Sequence, residues 1–213
     1  MQAIELINNK EGWFTIVLLV SFVLIALLKL LKPKQLVGYS ISFFSPGFFQ
    51  KKAEEFISVF TPFKLTLLAF SIIILSLVFY SSFNKLLFDS QDFQSFLKIL
   101  ATVFCYIFFK YIIDIFLANV LALKENVNYF LQLKYGYLFT VCLLIFPILI
   151  VNKYAIKSGY FLLFTFAILL IFRTLLILFN NKRLILGKLF YFILYFCTLE
   201  IAPLLILYKT TTT

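Results

Sequence analysis

Six stretches of this chain are apolar for long enough to cross a hydrocarbon layer, and that decides the class of fold before any motif is considered. They run from about Gly12 to Leu31, Phe63 to Tyr80, Leu97 to Leu123, Tyr135 to Val151, Gly159 to Phe179 and Leu184 to Tyr208. A hydrocarbon core ~30 Å thick takes about 20 helical residues, with allowance for tilt. Inside lipid the backbone has no water to bond, and a helix satisfies its N–H and C=O groups within one segment. The expected fold is therefore all-α: a polytopic transmembrane helix bundle of about six spans, forming one integral-membrane domain over residues 1–213. Composition agrees, because 63% of residues are hydrophobic where soluble domains hold roughly 45–50% apolar residues. The connections leave no room for an added soluble domain.

The formal net charge is +10, yet the 19 basic residues lie mostly between the apolar stretches. Nucleic-acid binding needs clustered Lys and Arg with exposed aromatics, so no nucleic-acid partner is expected. Basic residues flanking spans instead report orientation. The side reached after the first, third and fifth stretches holds eleven lysines and arginines, among them Lys32, Lys34, Lys64, Lys124 and Lys134, against six on the other side. That bias puts the first side in the cytoplasm and both termini outside it, in the periplasm if the membrane is a Gram-negative inner membrane. The first stretch is too long for a signal-peptide core and lacks a small-residue cleavage site, so it reads as a retained span.

The longest connection, Lys32 to Pro62, contains Ser45-Pro46 as a helix start. Phe49, Phe56 and Phe60 then recur on one face with Ala53 and Ile57, while Lys51, Lys52, Glu54 and Glu55 occupy the other. This is an amphipathic helix suited to the membrane interface, or to docking a partner. The six glycines fall in loops or near span ends, so no GxxxG face is available for close helix contact. Thirty Phe and twelve Tyr must fill the gaps. Cys105, Cys142 and Cys197 fall one per stretch and read as buried thiols.

Four charges lie inside the stretches: Lys110, Asp114, Arg173 and Glu200. Each costs at least ~2.5 kcal/mol at bilayer depth, so they need partners. Counting helix rise puts Asp114 and Arg173 at similar depth, and Lys110 near Glu200. The arithmetic pairs Asp114 with Arg173 and leaves Lys110 for Glu200, or for Asp114 one turn along its own helix. The third, fifth and sixth stretches are then neighbours. Lys98, Thr102, Tyr106, Lys110 and Asp114 form a polar series at i+4 steps, a sloping stripe that fits either a buried network or a proton or ion path.

Enzymatic chemistry has little to work with. The chain has no histidine, which removes the usual base of membrane hydrolases and the commonest metal ligand. There is no Walker A run and no pair of aspartates in adjacent stretches. No catalytic residue, cofactor or metal is expected.

FFKYIIDIFLANV (Phe108 to Val120), LIFRTLLIL around Arg173 and LFYFILYFCTLEIAPLLILYK around Glu200 and Pro203 resemble an uncharacterised family of polytopic inner-membrane proteins from Bacteroidota, a domain of unknown function. The resemblance implies a Gram-negative inner membrane and about six helices, and no activity comes with it. The expected role is a non-enzymatic subunit or stabilising partner of a larger cell-envelope complex, in secretion, motility or energy coupling. Its partners are then the lipid bilayer and another membrane protein. The alternative is a small proton- or ion-coupled transporter or channel using Lys110, Asp114, Arg173 and Glu200.

Overall fold

The computed structural model describes residues 12–43, 61–87, 93–120, 124–156 and 158–180. All regular structure among them is helical. The helices are α1 (Gly12–Leu31), α2 (Pro33–Ile41), α3 (Pro62–Leu87), α4 (Phe93–Val120), α5 (Lys124–Val151) and α6 (Gly159–Asn180), with a π-helical turn at Asn152–Ile156 closing α5. Five segments are long and apolar enough to span a membrane: Gly12–Leu31, Pro62–Ser82, Phe93–Asp114, Leu133–Ile156 and Gly159–Ile177. The molecule is a multi-pass membrane helix bundle. The stretch Leu184 to Tyr208 with Glu200, and the amphipathic segment with Phe49, Phe56 and Phe60, lie outside the described residues.

Helix α3 is the hub, packing against α1, α4, α5 and α6. It is apolar over most of its surface through the middle of the bundle, as a helix packed among several others must be. Phe63, Leu67, Phe70, Ile74, Leu77 and Val78 are almost fully buried. Its hydroxyls do not interrupt this surface. Ser71 Oγ donates to the Leu67 carbonyl at 2.8 Å and Ser76 Oγ to the Ile72 carbonyl at 2.7 Å, the back-bonding that lets small polar residues sit inside a helix. By contrast, α1 buries Phe14, Leu18, Ser21 and Leu28 and exposes Ile16, Leu19, Phe22 and Leu30. Exposed apolar area on this scale belongs against lipid tails.

Two features depart from the expectation. Helix α2 was not foreseen within the long first connection. It starts at Pro33, where proline's fixed φ suits a first helical position, and it buries Tyr39 against Phe63 and Phe139. The Thr140 hydroxyl of α5 donates to the Tyr39 carbonyl at 3.0 Å, sharing its proton with the Gly136 carbonyl at 3.1 Å, and stands 2.8 Å from Ser42 Oγ. Burial pushes the Tyr39 phenol up to about 12, so it stays neutral. The second departure concerns the cysteines: Cys142 is buried but Cys105 is exposed on the outer surface of α4, and Cys197 lies outside the described residues.

The turn between α5 and α6 requires a glycine. Asn152 Oδ1 accepts a hydrogen bond from the Ser158 backbone N–H at 3.3 Å, and Ser158 Oγ caps α6 by accepting from the Phe161 N–H at 3.5 Å. This brings Gly159 so close to α3 that a Cβ there would stand 3.2 Å from the Ser81 carbonyl oxygen. Backbone cannot swing away as a side chain can. Gly159→Val is expected to cost about 1–3 kcal/mol by overpacking, read as a lower thermal midpoint of the detergent-solubilised protein. An unchanged midpoint would show that α3 and α6 separate freely at this end.

Candidate functional site

The ionisable residues inside the bundle meet where α4, α5 and α6 approach their ends on the lysine-rich side. Helix rise puts Asp114 roughly 9 Å before the end of α4, Arg173 about 10 Å before the end of α6 and Lys134 about 15 Å into α5. Their side chains are almost fully enclosed: Asp114 is 3% exposed, Lys134 2% and Arg173 7%.

Asp114 receives three hydrogen bonds from α5. Lys134 Nζ donates to its Oδ2 at 3.3 Å and to its Oδ1 at 3.4 Å, and the Tyr135 hydroxyl donates to Oδ2 at 3.0 Å. The Tyr135 ring is held edge-on to Tyr111 of α4, centroids 5.8 Å apart at 67°, which fixes the phenol where it points at the carboxylate. Arg173 enters from α6 and donates from Nη2 to the Lys134 backbone carbonyl at 3.1 Å. One residue of α5 therefore ties two other helices, α4 through its side chain and α6 through its main chain. A carbonyl oxygen has two lone pairs, so it accepts the guanidinium beside its helical bond.

These contacts add to the pairing expected from depth. Asp114 and Arg173 lie in one cluster, and Lys134 and Tyr135 of the intervening helix bond the carboxylate. Lys134 was missed because the apolar run begins after it, at Tyr135. The helix begins at Lys124, so Lys134 sits on an inward face. Lys110 donates to the Tyr106 hydroxyl at 3.4 Å, one turn back along α4, with its ammonium 5.5 Å from the centre of that ring. Glu200, its other expected partner, lies outside the described residues. The polar stripe on α4 is divided: Thr102 is exposed and bonds its own helix at the Lys98 carbonyl, Tyr106 is exposed, Lys110 is half-buried, and only Asp114 is enclosed. Among the described residues no three His, Cys, Asp or Glu side chains converge as metal ligands do.

The arrangement is an electrostatic clasp. Removing one partner of a buried pair leaves an uncompensated charge and commonly costs ~3–5 kcal/mol. Asp114→Asn should therefore lower the thermal midpoint and the amount of protein in the membrane sharply. Adding Lys134→Met should recover part of that loss, since the stranded charge goes too. Tyr135→Phe removes a hydrogen bond to a charged acceptor and should cost about 1.5–3 kcal/mol. A double variant no more stable than the worse single would mean that Asp114 and Lys134 are not coupled.

Residues 14–211 match a family model described as a domain of unknown function, DUF4271. No curated protein and no solved structure matches the chain. The family match takes in α1 from residue 14 and the whole of α2 to α6, the clasp included, and on that extent the chain belongs to the DUF4271 family.

Proposed function

We propose that this protein lies in the inner membrane of a Gram-negative bacterium of the Bacteroidota and acts, without catalysis of its own, as a subunit or stabilising partner of a larger cell-envelope complex. Secretion, motility or energy coupling is the setting proposed for that complex. The observation that carries this reading is the use made of the enclosed charges. Asp114, Lys134, Tyr135 and Arg173 are engaged in joining helices, while the rest of the α4 polar series is half-buried or exposed on the outer surface.

Helix α4 adds support. It is the least buried of the five spans, and it exposes Phe104, Tyr106, Phe108 and Phe109. Phe104 and Phe108 are stacked on each other at 6.3 Å. Exposed aromatic rings offer large rigid contacts to another membrane protein.

The test is the size and make-up of the particle in native membranes. A tagged copy at normal abundance, solubilised in mild detergent, should migrate well above its 24.9 kDa with one membrane protein in constant ratio. Deleting the gene should lower the level of that partner. The transport alternative forecasts a free protein that carries proton or ion current in proteoliposomes. That current should vanish in Asp114→Asn or Glu200→Gln at undiminished protein level, and such a result would replace the subunit reading.

Orientation is checked separately. The lysine-rich end should face the cytoplasm and both termini the periplasm. In a cysteine-free background, a membrane-impermeant maleimide applied to spheroplasts should label Lys157→Cys and spare Lys34→Cys until the membrane is opened. The reverse pattern would invert the topology.

A further inference from the structure

Helix α2 is too short to cross a membrane, yet it has two apolar faces. Leu36 and Tyr39 turn inward and share a core with Leu28, Phe63 and Leu67. Lys34, Val37 and Ile41 are exposed, and at about 3.6 residues per turn they form one stripe on the side away from Leu36 and Tyr39. No charged residue follows Lys34 as far as Phe43. The Ser40 and Ser42 hydroxyls donate to the Leu36 and Tyr39 carbonyls of their own helix. Beyond its first turn, the outer face of α2 offers water very little.

The inner contacts fix how deep α2 lies. Lys32 alone separates it from α1, and the Lys32 N–H still bonds the Leu28 carbonyl at 3.1 Å, so α2 starts level with the end of the first span. It does not run outward from there. Tyr39 packs on Phe139 and is bonded by Thr140, and those residues stand about 10 Å inside the spanning segment that begins at Leu133. Phe43, just past α2, stacks on Phe172 with centroids 5.2 Å apart, and Phe172 lies about 7 Å inside the end of the α6 span at Ile177. From Lys34 to Phe43 the chain therefore turns back into the bundle. The last turn of α2 is finished to match. Carbonyls at a helix end have no partner within the helix, and water caps them wherever it reaches. The Tyr39 carbonyl is capped by the hydroxyls of Ser42 and Thr140 instead, both fully enclosed, which is how backbone is satisfied at membrane depth.

We infer that α2 is a re-entrant helix seated in the lipid leaflet at the lysine-rich end, with Val37 and Ile41 on acyl chains and Lys34 at the level of the phosphates. Lipid is the occupant because this face continues one already set against it. Leu27, Leu30 and Leu31 of α1 are exposed and lead through Lys32 directly into α2. One cation above two aliphatic side chains also repeats the order of a phospholipid, phosphate above tails, as in helices that lie at the headgroup boundary. The inference holds for either orientation of the bundle and uses none of the α4 surface.

Nitroxide labels on single cysteines in a cysteine-free background test this in proteoliposomes of phosphatidylglycerol and phosphatidylethanolamine. Labels on Val37→Cys and Ile41→Cys should collide with dissolved oxygen, which concentrates among lipid tails, and be shielded from a water-soluble nickel chelate present on both sides. Lys34→Cys should meet the chelate. The ratio of oxygen to nickel accessibility should climb from residue 34 through 37 to 41, toward the value at the lipid-facing Leu30→Cys. A label at residue 41 as open to nickel as the one at residue 34 puts α2 in water and overturns the inference. So does shielding of residue 41 from both reagents, since protein, from residues 44–60 or from another chain, then covers the stripe. Should Ile41→Cys accumulate poorly, Val37→Cys gives a separate reading one turn earlier, decided by the same outcomes.

Discussion

The contact on which the lysine-rich end of the bundle depends is the pair of bonds made by Lys134, side chain to Asp114 and carbonyl to Arg173. Aliphatic packing alone cannot set the register of helices in lipid, because acyl chains are as apolar as leucine and compete for the same surfaces. Polar contacts escape that competition. A carboxylate that leaves Lys134 and Tyr135 finds nothing in hydrocarbon to replace them, so the axial position of α4 against α5 is fixed where the ion pair closes. Arg173 fixes α6 to the same residue by bonding main chain, whose position cannot change without unwinding α5. The Thr140 hydroxyl does for α2 what Arg173 does for α6: it too bonds a main-chain carbonyl, that of Tyr39.

The opposite end is held by other means. Trp13 packs against Tyr80, Phe93 and Phe96 with ring centroids 5.0–5.7 Å apart, which joins α1, α3 and α4 through rings alone. Lys153 lies over the Phe14 ring at 4.5 Å, and Thr15 and Tyr154 share a hydrogen bond at 3.1 Å. Aromatic rings with one polar edge suit the zone between lipid tails and water. α3 runs between the two ends, its buried serines bonding within their own helix. Charge sets register at one end and ring packing fills the other, with a close-packed apolar hub between them.

Much of this was legible in the sequence, and the parts that were not have physical reasons. Continuous apolar runs mark spans because lipid demands them, and five of the stretches correspond to spanning helices here. Helix ends are another matter: α5 extends ten residues before Lys134 through KENVNYFLQL, a polar segment that hydropathy assigns to a loop. Lys134 was therefore counted as a surface lysine when it is the centre of the clasp. The partner of Arg173 was invisible for a deeper reason, since a backbone carbonyl has no sequence signature. The α4 stripe was seen, but its consequence follows only from geometry. Steps of four residues advance about 40° each on an α-helix, so three steps carry the series from the open face at Thr102 to the enclosed face at Asp114. One stripe thus serves two environments.

The open helix faces differ in composition. The exposed side of α1 is mostly aliphatic, with Ile16, Leu19, Val20, Val23, Leu27 and Leu30, and such a surface needs nothing beyond acyl chains. The exposed side of α4 is different: rings dominate, and Thr102, Cys105, Tyr106 and the half-buried Lys110 interrupt them. In lipid each polar group on such a face carries a desolvation cost. Here the cost is met along the helix itself, Thr102 bonding the Lys98 carbonyl and Lys110 donating to the Tyr106 hydroxyl, so α4 carries polar groups on its open side that α1 does without.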